Sequence, residues 1–167
     1  PNTRGVKCLV FNKRDKTFLL VRPSYSHKNW TIPGGGIKRS ESPQEAAQRE
    51  LKEETGLEAK LLYFGSYKQT IEYKNDTVDC YVGAVENPEV TTDKMEIVDY
   101  CWVTSHDLPD GVRPSVTNIL KLLYDTKTEI HHISTTTKKS LIPSEDAFLA
   151  HNSTKWLKNS SARRLTH

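Results

Sequence analysis

One stretch of the chain, residues 35–57, constrains the possible fold more than any other segment. It reads GGIKRSESPQEAAQRELKEETGL, and Gly35 is followed after five residues by Glu41. Seven further residues lead to the triplet Arg-Glu-Leu at 49–51, and after Lys52 comes the acidic pair at 53–54. The segment predicts a glycine-rich loop followed by a helix that carries acidic residues near its end.

Both ends of this helix are marked by residues that stabilise helix termini. Ser42 can cap free backbone N–H groups, and Pro43 is tolerated at the first helical position. Residues 44–51 are mostly good helix formers, and Gly56 lets the chain leave in a left-handed conformation. The sequence therefore predicts a helix from Ser42 to Thr55.

Three carboxylates, those of Glu50, Glu53 and Glu54, fall on one face of this helix, one turn apart. They repel one another, and near a helix C-terminus the macrodipole adds to the cost. Oxygen-only ligands suit Mg²⁺ or Mn²⁺, so a divalent cation between them would make the arrangement favourable. A solvated acidic face is the alternative, but the glycine loop, Glu41 and Arg49 in fixed register favour a metal site.

Every specified position of the stretch matches the Nudix box, GX5EX7REUXEEXGU with U apolar, and the chain resembles the Nudix hydrolases. The order of predicted elements extends the resemblance from Gly5 to Tyr124. It implies an α/β fold, the Nudix α/β/α sandwich with a mixed β-sheet between helices. It also implies Mg²⁺- or Mn²⁺-dependent cleavage of a diphosphate linked to a nucleoside or to another group.

The resemblance also implies roles for individual residues. Glu50, Glu53 and Glu54 resemble the metal-binding carboxylates, and a backbone carbonyl at Gly34 or Gly35 would add a ligand.

Further roles concern support of the helix and the proton acceptor. Arg49 resembles the arginine that braces the helix glutamates, and Glu41 resembles a supporting loop glutamate. A glutamate must take the proton of the attacking water, and Glu53 is the first candidate. Glu96, six residues before Trp102, resembles a late glutamate that serves some relatives as base or extra ligand, although an exposed strand-end charge is the alternative.

The residues before the glycine loop are candidates for substrate contacts. Arg22 or Lys28 could meet phosphates, and Tyr25 or Trp30 could stack on a base. The alternatives are a core position for Trp30 and a solvated loop position for Lys28. Tyr73 lies near where the dinucleoside-polyphosphate branch of the family often has a tyrosine, but tyrosines are also common in strands.

The length, charge and cysteine content of the chain limit the class of protein to which it can belong. A chain of 167 residues suggests one domain, and its formal charge of +3 is unevenly placed. Seven Lys or Arg against three acidic residues follow position 125, which leaves about −1 for residues 1–125. The three cysteines, which lie in apolar runs, are expected to be free buried thiols. No stretch is apolar enough to span a membrane, so the expectation is a cytoplasmic protein without a membrane partner.

Hydrophobic patterning gives an approximate element order. Residues 6–11 and 17–22 predict a hairpin, residues 58–74 and 77–85 predict two strands that turn at Asn75-Asp76, and residues 95–104 predict another strand. A second amphipathic helix is expected over Ser115–Tyr124. We divide the chain into a Nudix domain, 1–125, and a basic Ser/Thr/Lys-rich extension, 126–167. That extension either packs as a helix on the core or orders only on a partner.

Three functions compete at this stage. The first is a Mg²⁺-dependent pyrophosphohydrolase that cleaves a small nucleoside diphosphate derivative: a dinucleoside polyphosphate, a nucleoside triphosphate or a nucleotide sugar. The second applies the same chemistry to a capped or triphosphorylated RNA 5′ end, with the basic extension binding the backbone. The third is a non-catalytic ligand-sensing module, which the intact box disfavours. Isomerisation of a prenyl diphosphate is a fourth function, far less favoured than these three. Nudix proteins are often homodimers, so a second copy of the chain is a candidate partner.

Overall fold

The computed structural model describes residues 3–26, 28–71, 74–92 and 94–133. Within these ranges the chain forms β1 (Thr3–Asn12), β2 (Phe18–Pro23), β3 (Gly34–Gly36), α1 (Pro43–Thr55), β4 (Leu62–Ile71), β5 (Lys74–Val85), β6 (Ile97–Val103) and α2 (Pro114–Ile133). Neither helix in the described ranges has the length and apolar character that crossing a membrane requires.

The strands form one mixed sheet with β1 near its centre. The strand order is β4-β5-β1-β2-β6, and β3 pairs with β1 on the same edge as β2. β1 and β5 run parallel, whereas the other strand pairs are antiparallel. Because Gly5–Lys7 of β1 pairs with β3, the glycine loop is attached to the middle of the sheet.

One helix covers each face of this sheet. Successive side chains of a strand point to opposite faces. Accordingly Cys8 and Val10 of β1 join the buried cluster that includes α1, while Leu9 and Phe11 join the cluster that includes α2. The predicted α/β/α sandwich with a mixed sheet is confirmed.

The predicted caps fix both ends of α1. The N–H of Glu45 donates to Ser42 Oγ at 3.2 Å, and Glu45 Oε2 accepts from the N–H of Ser42 at 2.7 Å. This reciprocal pair is a capping box, which satisfies two otherwise free donors. At the other end Gly56 is left-handed, with φ of 70°, and its N–H bonds to the carbonyl of Lys52. The helix predicted from the sequence is therefore confirmed.

The apolar side of α1 anchors it to the sheet. Ala46, Ala47 and Leu51 are fully buried in the core. Burying this side leaves the acidic residues of the last turn at the border of the sheet, next to the glycine loop. The small alanines allow the helix backbone to approach the strands closely, which brings those acidic residues near β3.

The predicted turn at Asn75-Asp76 is wrong. Both residues belong to β5, where Asn75 pairs with Thr70 and Asp76 with Gln69. The pairing of β4 with β5 ends at Ile71 and Lys74, so the strands are joined three residues earlier than predicted. Cross-strand pairing of Asn75 and Asp76 with β4 outweighed the local preference of Asn and Asp for turns.

The second helix is longer than the predicted segment. It begins at Pro114 and continues to Ile133, so it passes through position 125, where we placed the end of the Nudix domain. Val116, Ile119, Leu120 and Leu123 are buried against the sheet, as the amphipathic pattern predicted. Residues 134–167, on which our other expectations for the extension fall, lie outside the described residues.

All three cysteines are free thiols, as predicted. Cys8 and Cys80 are buried, while Cys101 is half-buried. Burial raises the pKa of Cys8 and of Cys80 to about 12, so neither thiol ionises at neutral pH. These residues therefore contribute packing to the core and no nucleophile.

Candidate active site

Arg49 holds the acidic residues of the loop and the helix together. Its Nε and Nη2 donate to the two carboxylate oxygens of Glu41 at 2.9 and 2.6 Å. Its Nη1 donates to Glu50 at 2.7 Å and to Glu53 at 3.0 Å, and Nη2 also donates to the carbonyl of Gly36 at 3.0 Å. A guanidinium has five N–H donors, so these contacts engage the whole group. The bracing role expected of Arg49 has a direct geometric basis.

Glu41 is the best-satisfied carboxylate of this group. Besides the two bonds from Arg49, it accepts a bond from the N–H of Lys38 at 2.7 Å. Hydrogen bonding to Arg49, followed by the bond from Lys38, lowers the pKa of Glu41 to about 2. The same contact with Glu41 is the main reason why the pKa of Arg49 is raised. Both groups are therefore charged at neutral pH, and Glu41 fixes the loop to the helix.

Glu54 has a different environment from Glu41. Its Oε2 accepts a hydrogen bond from the N–H of Gly34 at 3.0 Å. Burial raises the pKa of Glu54 to about 7; Lys7 opposes this effect, while Glu50 and Glu96 add to it. Glu54 is thus a carboxylate that lacks sufficient positive charge around it, which is the property expected of a cation ligand.

Lys7 is a cation of the site that the sequence analysis missed. Its Nζ donates to the carbonyl of Ile32 at 2.8 Å and to Thr31 Oγ1 at 3.3 Å. Burial lowers the pKa of Lys7, and the negative charge of Glu54 partly offsets this effect. The available signal was a single lysine in the otherwise apolar run Val6–Phe11, but nothing local indicated which residue it would face.

The glycine loop lies close to the helix carboxylates. A Cβ added to Gly35 would lie 2.5 Å from the Cδ and Oε1 atoms of Glu50, well inside van der Waals contact. Glycine at this position is therefore required for Glu50 to approach the loop. The backbone of the loop at Gly35 and the carboxylate of Glu50 are therefore direct neighbours.

The donor set suits a hard divalent cation, because the available groups are carboxylate and carbonyl oxygens. In the described part of the chain, however, no three Asp, Glu, His or Cys side chains converge on one point as metal ligands. The hydrogen bonds explain this: Glu50 and Glu53 bond to Arg49, and Glu54 bonds to Gly34. These ligand assignments, including those of the Gly34 and Gly35 carbonyls, stay predictions.

Glu96 lies at the same site although it is distant in sequence. Its side chain is exposed, and its charge contributes to the raised pKa of Glu54. Its backbone carbonyl accepts a hydrogen bond from Ser24 at 2.8 Å, which ties the segment before β6 to the loop after β2. Its role as base or extra ligand stays a prediction, as does that of Glu53.

Two predicted substrate contacts are held by other protein groups. Arg22 forms an ion pair with Asp99 at 3.0 Å, and its guanidinium lies 5.3 Å from the centre of the Trp30 ring. Trp30 is half-buried and packs against the cluster on the α2 side. A phosphate that binds Arg22 would thus compete with Asp99. A base that stacks on Trp30 would compete with the guanidinium of Arg22.

The other predicted contacts differ in exposure. Tyr25 is 79% exposed, and the guanidinium of Arg113 lies 5.8 Å from its ring centre. Lys28 is exposed. Tyr73 lies outside the described residues. Arg113, which the sequence analysis did not single out, also contributes to the lowered pKa of Lys7 and therefore adds positive charge on this side of the site.

Comparison with known proteins places this geometry in a family. The family model of the NUDIX domain matches residues 1–123. The chain is 27% identical over 126 residues to the RNA pyrophosphohydrolase of Zymomonas mobilis, which covers 64% of this chain and 81% of that protein. It is 35% identical over 92 residues to the mouse diphosphoinositol polyphosphate phosphohydrolase 3-alpha, which covers 54% of this chain and only 56% of that protein.

Solved structures support the fold. A MutT NUDIX hydrolase from Burkholderia pseudomallei matches with a TM-score of 0.65 at 18% identity, over 74% of this chain and 98% of that one. The matched family model covers most of the chain and includes the whole loop and helix described above. The chain therefore belongs to the Nudix family of hydrolases.

Proposed function

We propose that this Nudix hydrolase is a Mg²⁺-dependent pyrophosphohydrolase that cleaves a nucleoside diphosphate linked to another group. The substrate classes are dinucleoside polyphosphates, nucleoside triphosphates and nucleotide sugars. The observation that carries the proposal is the arrangement around Arg49. This residue fixes Glu41, Glu50 and Glu53 beside a glycine loop whose N–H binds Glu54.

Glu50, Glu53 and Glu54 are the side chains that would hold Mg²⁺ or Mn²⁺, with a carbonyl of Gly34 or Gly35 as a further ligand. When bound, the metal screens the phosphate oxygens and lowers the pKa of a bound water. The protein contributes a rigid arrangement of the carboxylates, because all five donors of Arg49 are engaged. Such positioning removes much of the entropic cost of reaching the transition state.

Glu53 is the preferred proton acceptor. Its side chain is 50% exposed, whereas those of Glu41 and Glu50 are each 13% exposed. An acceptor must reach the attacking water, so the more accessible carboxylate suits this role. Glu96, which is exposed and affects Glu54, is the second candidate.

The groups attached to the diphosphate of the substrate are less constrained than the cleavage reaction. The Zymomonas mobilis relative is an RNA pyrophosphohydrolase, so RNA 5′ ends are the second candidate substrate. The basic residues of the extension, including Lys138 and Lys139, would supply phosphate contacts in that case, and affinity would fall steeply with salt. The mouse relative adds diphosphoinositol compounds to the classes that need testing.

The decisive experiment is a chromatographic assay of product formation with Mg²⁺. The panel contains dinucleoside polyphosphates, nucleoside triphosphates, nucleotide sugars, ADP-ribose, a diphosphoinositol compound and triphosphorylated RNA. Glu53→Gln should abolish most turnover. Glu58→Gln is the matched control, because Glu58 is an exposed carboxylate near the same helix end that pairs only with Lys52 among the described contacts.

Turnover of one substrate class by the wild type and by Glu58→Gln, and not by Glu53→Gln, would support the proposal. Two results would contradict it. One is unchanged turnover in Glu53→Gln, and the other is absence of turnover across the panel by folded, Mg²⁺-binding protein. The second result would favour a ligand-sensing module.

A further inference from the structure

Arg113, just before α2, is an arginine beside the candidate site whose charge is not balanced by an acidic partner. Arg22 pairs with Asp99, and Arg49 pairs with glutamates of the loop and of α1. None of the ion pairs or side-chain hydrogen bonds in the described part of the chain involves the guanidinium of Arg113, which is half-buried. Its five N–H donors are therefore available to a ligand.

Tyr25 orients this guanidinium without using its donors. The guanidinium carbon of Arg113 lies 5.8 Å from the centre of the Tyr25 ring. A guanidinium that stacks its face on an aromatic ring keeps the N–H groups at the edge of its plane free. Those groups form a planar fork that matches two oxygens of a phosphate. The contact thus prepares Arg113 for an anion.

The backbone of Arg113 is held in place on both sides. Its N–H donates to the carbonyl of Trp30 at 2.9 Å, and its carbonyl accepts from the N–H of Val116 at 3.0 Å. The following residue, Pro114, restricts the backbone of Arg113 further. In return, the N–H of Trp30 donates to the carbonyl of Gly111 at 2.9 Å. Arg113 is therefore fixed against the segment that leads into the glycine loop.

Three charged residues are attached in order along this segment, residues 30–34. Arg113 is bonded at position 30, Lys7 at positions 31 and 32, and Glu54 at position 34. The pKa of Lys7 is lowered mainly by burial, raised by the charge of Glu54 and lowered again by that of Arg113, so Lys7 interacts with both. Arg113 thus lies on the far side of Lys7 from the carboxylates of α1.

We propose that Arg113 binds a second phosphate group of the substrate, one that is not part of the cleaved diphosphate. The inference rests on the proposed function, which places the diphosphate at the glutamates of α1. Because Lys7 lies between those glutamates and Arg113, a substrate that contacts both carries phosphate at two separate places.

Two kinds of molecule carry phosphate in this way. One is a nucleotide with a further phosphate on its ribose, as in the backbone of RNA. The other is a ring that bears several phosphates. Nucleotide sugars carry only the diphosphate and have no group for Arg113, so the inference makes them the less favoured members of the proposed substrate classes.

The first arm of the test measures binding of adenosine 3′,5′-bisphosphate and of 5′-AMP by calorimetry in the presence of Mg²⁺. The two ligands differ only in the 3′-phosphate, and neither contains an anhydride bond, so binding is separated from turnover. We expect the bisphosphate to bind about tenfold more tightly, which is the range of a hydrogen bond to a charged group. Arg113→Gln should bring the ratio of the two affinities close to one. A merely structural disturbance of the site would weaken both ligands and leave their ratio unchanged.

The second arm uses inositol hexakisphosphate as the probe for a phosphorylated ring. This compound also lacks an anhydride bond. If a ring is the source of the second phosphate, Arg113→Gln should weaken its binding about tenfold, while the two nucleotides bind alike. The matched control for both arms is Arg14→Gln, which removes the same charge from an exposed arginine in the turn after β1. It should leave every affinity unchanged.

Either of two results would support the inference. A preference for the bisphosphate that only Arg113→Gln removes identifies a nucleotide as the source of the phosphate. A loss of affinity for inositol hexakisphosphate that only Arg113→Gln causes identifies a phosphorylated ring. The inference is overturned if folded Arg113→Gln binds all three ligands as the wild type does, if Arg14→Gln has the same effect as Arg113→Gln, or if the wild type neither prefers the bisphosphate nor binds inositol hexakisphosphate.

The two proposals can fail separately. If the panel of diphosphates is hydrolysed but Arg113→Gln changes neither arm, the inference about Arg113 is wrong and the proposed function stands. If Arg113 contributes to binding as expected while no diphosphate is hydrolysed, the site binds phosphates in a protein that is not the proposed enzyme.

Discussion

The substitution Gly35→Ala would test whether catalysis depends on the close approach of Glu50 to the glycine loop. The added Cβ would lie 2.5 Å from Glu50 Cδ and Oε1 and 2.7 Å from Oε2. Carbon contacts are favourable at 3.5–4.0 Å, so the carboxylate must retreat by roughly 1 Å. The group that moves is the end of a flexible side chain, so we expect the backbone to stay in place.

The expected effect on activity is large and that on stability is small. A misplacement of roughly 1 Å can cost about 100-fold in rate, which corresponds to about 2.7 kcal/mol of barrier. Forcing the Glu50 side chain away from its preferred conformation destabilises the fold by about 0.5–1.5 kcal/mol. Replacing glycine by alanine restricts the unfolded chain, which stabilises the fold by about 0.4–1 kcal/mol. These two terms nearly cancel, so the midpoint of thermal unfolding should change little.

The assay compares kcat/KM and thermal unfolding of Gly35→Ala with those of Gly36→Ala. Gly36 is the matched control, because a Cβ added there meets no atom within 4 Å. If Gly35→Ala retains kcat/KM within about threefold of Gly36→Ala, the position of Glu50 against the loop is not required for the chemistry, and the reasoning is refuted.

Three further predictions concern stability. Burial raises the pKa of Glu54 to about 7, above the ordinary 4.5, so its ionisation destabilises the metal-free fold increasingly as the pH rises from 4.5 through 7. Glu54→Gln should therefore leave the free energy of unfolding near pH 4.5 unchanged and increase it above pH 7 by on the order of 1–3 kcal/mol. Urea unfolding at both pH values measures this difference, and an equal effect at the two pH values would contradict the prediction. Ser42→Ala should lower the free energy of unfolding by about 0.5–2 kcal/mol because it removes the cap of α1, and Ser40→Ala, at an exposed loop position, serves as the comparison. Leu51→Ala should lower it by about 2–5 kcal/mol, because Leu51 is fully buried; a loss below about 1 kcal/mol would show that the site collapses around the smaller side chain.

The parts of the fold that depend on local sequence were predictable. The ends of α1 follow from Ser42, Pro43 and Gly56, whose effects act within one helical turn. The sandwich follows from alternating apolar residues in the strands and an apolar stripe on each helix. The turn near Asn75 was misplaced because its position depends on pairing between β4 and β5, which local composition does not record.

The contacts of the candidate site also divide into those between residues close in sequence and those that depend on the pairing of distant segments. The bracing role of Arg49 was expected from the resemblance to the Nudix family, and the i,i+4 spacing of Arg49 and Glu53 on the helix is consistent with their contact. Lys7 meets the site because β1 pairs with the glycine loop, a contact between residues far apart in sequence. Arg22 or Lys28 was expected to meet a phosphate, which stays a prediction; the register of β2 against β6, which places Arg22 opposite Asp99, could not be predicted from the sequence.

The two cations of the site have different consequences for its carboxylates. Hydrogen bonds from Arg49 lower the pKa of Glu41, so that residue is ionised and fully paired. Lys7 only partly offsets the burial of Glu54, whose pKa stays raised. Ionisation of Glu54, next to the N–H of Gly34, therefore leaves a negative charge that the protein only partly balances. A divalent cation that binds there would relieve a destabilising charge of the fold, so metal binding and folding should stabilise each other at neutral pH. The same residue that the proposed chemistry needs as a ligand is thus a cost to the metal-free protein, which is the usual relation between function and stability at an active site.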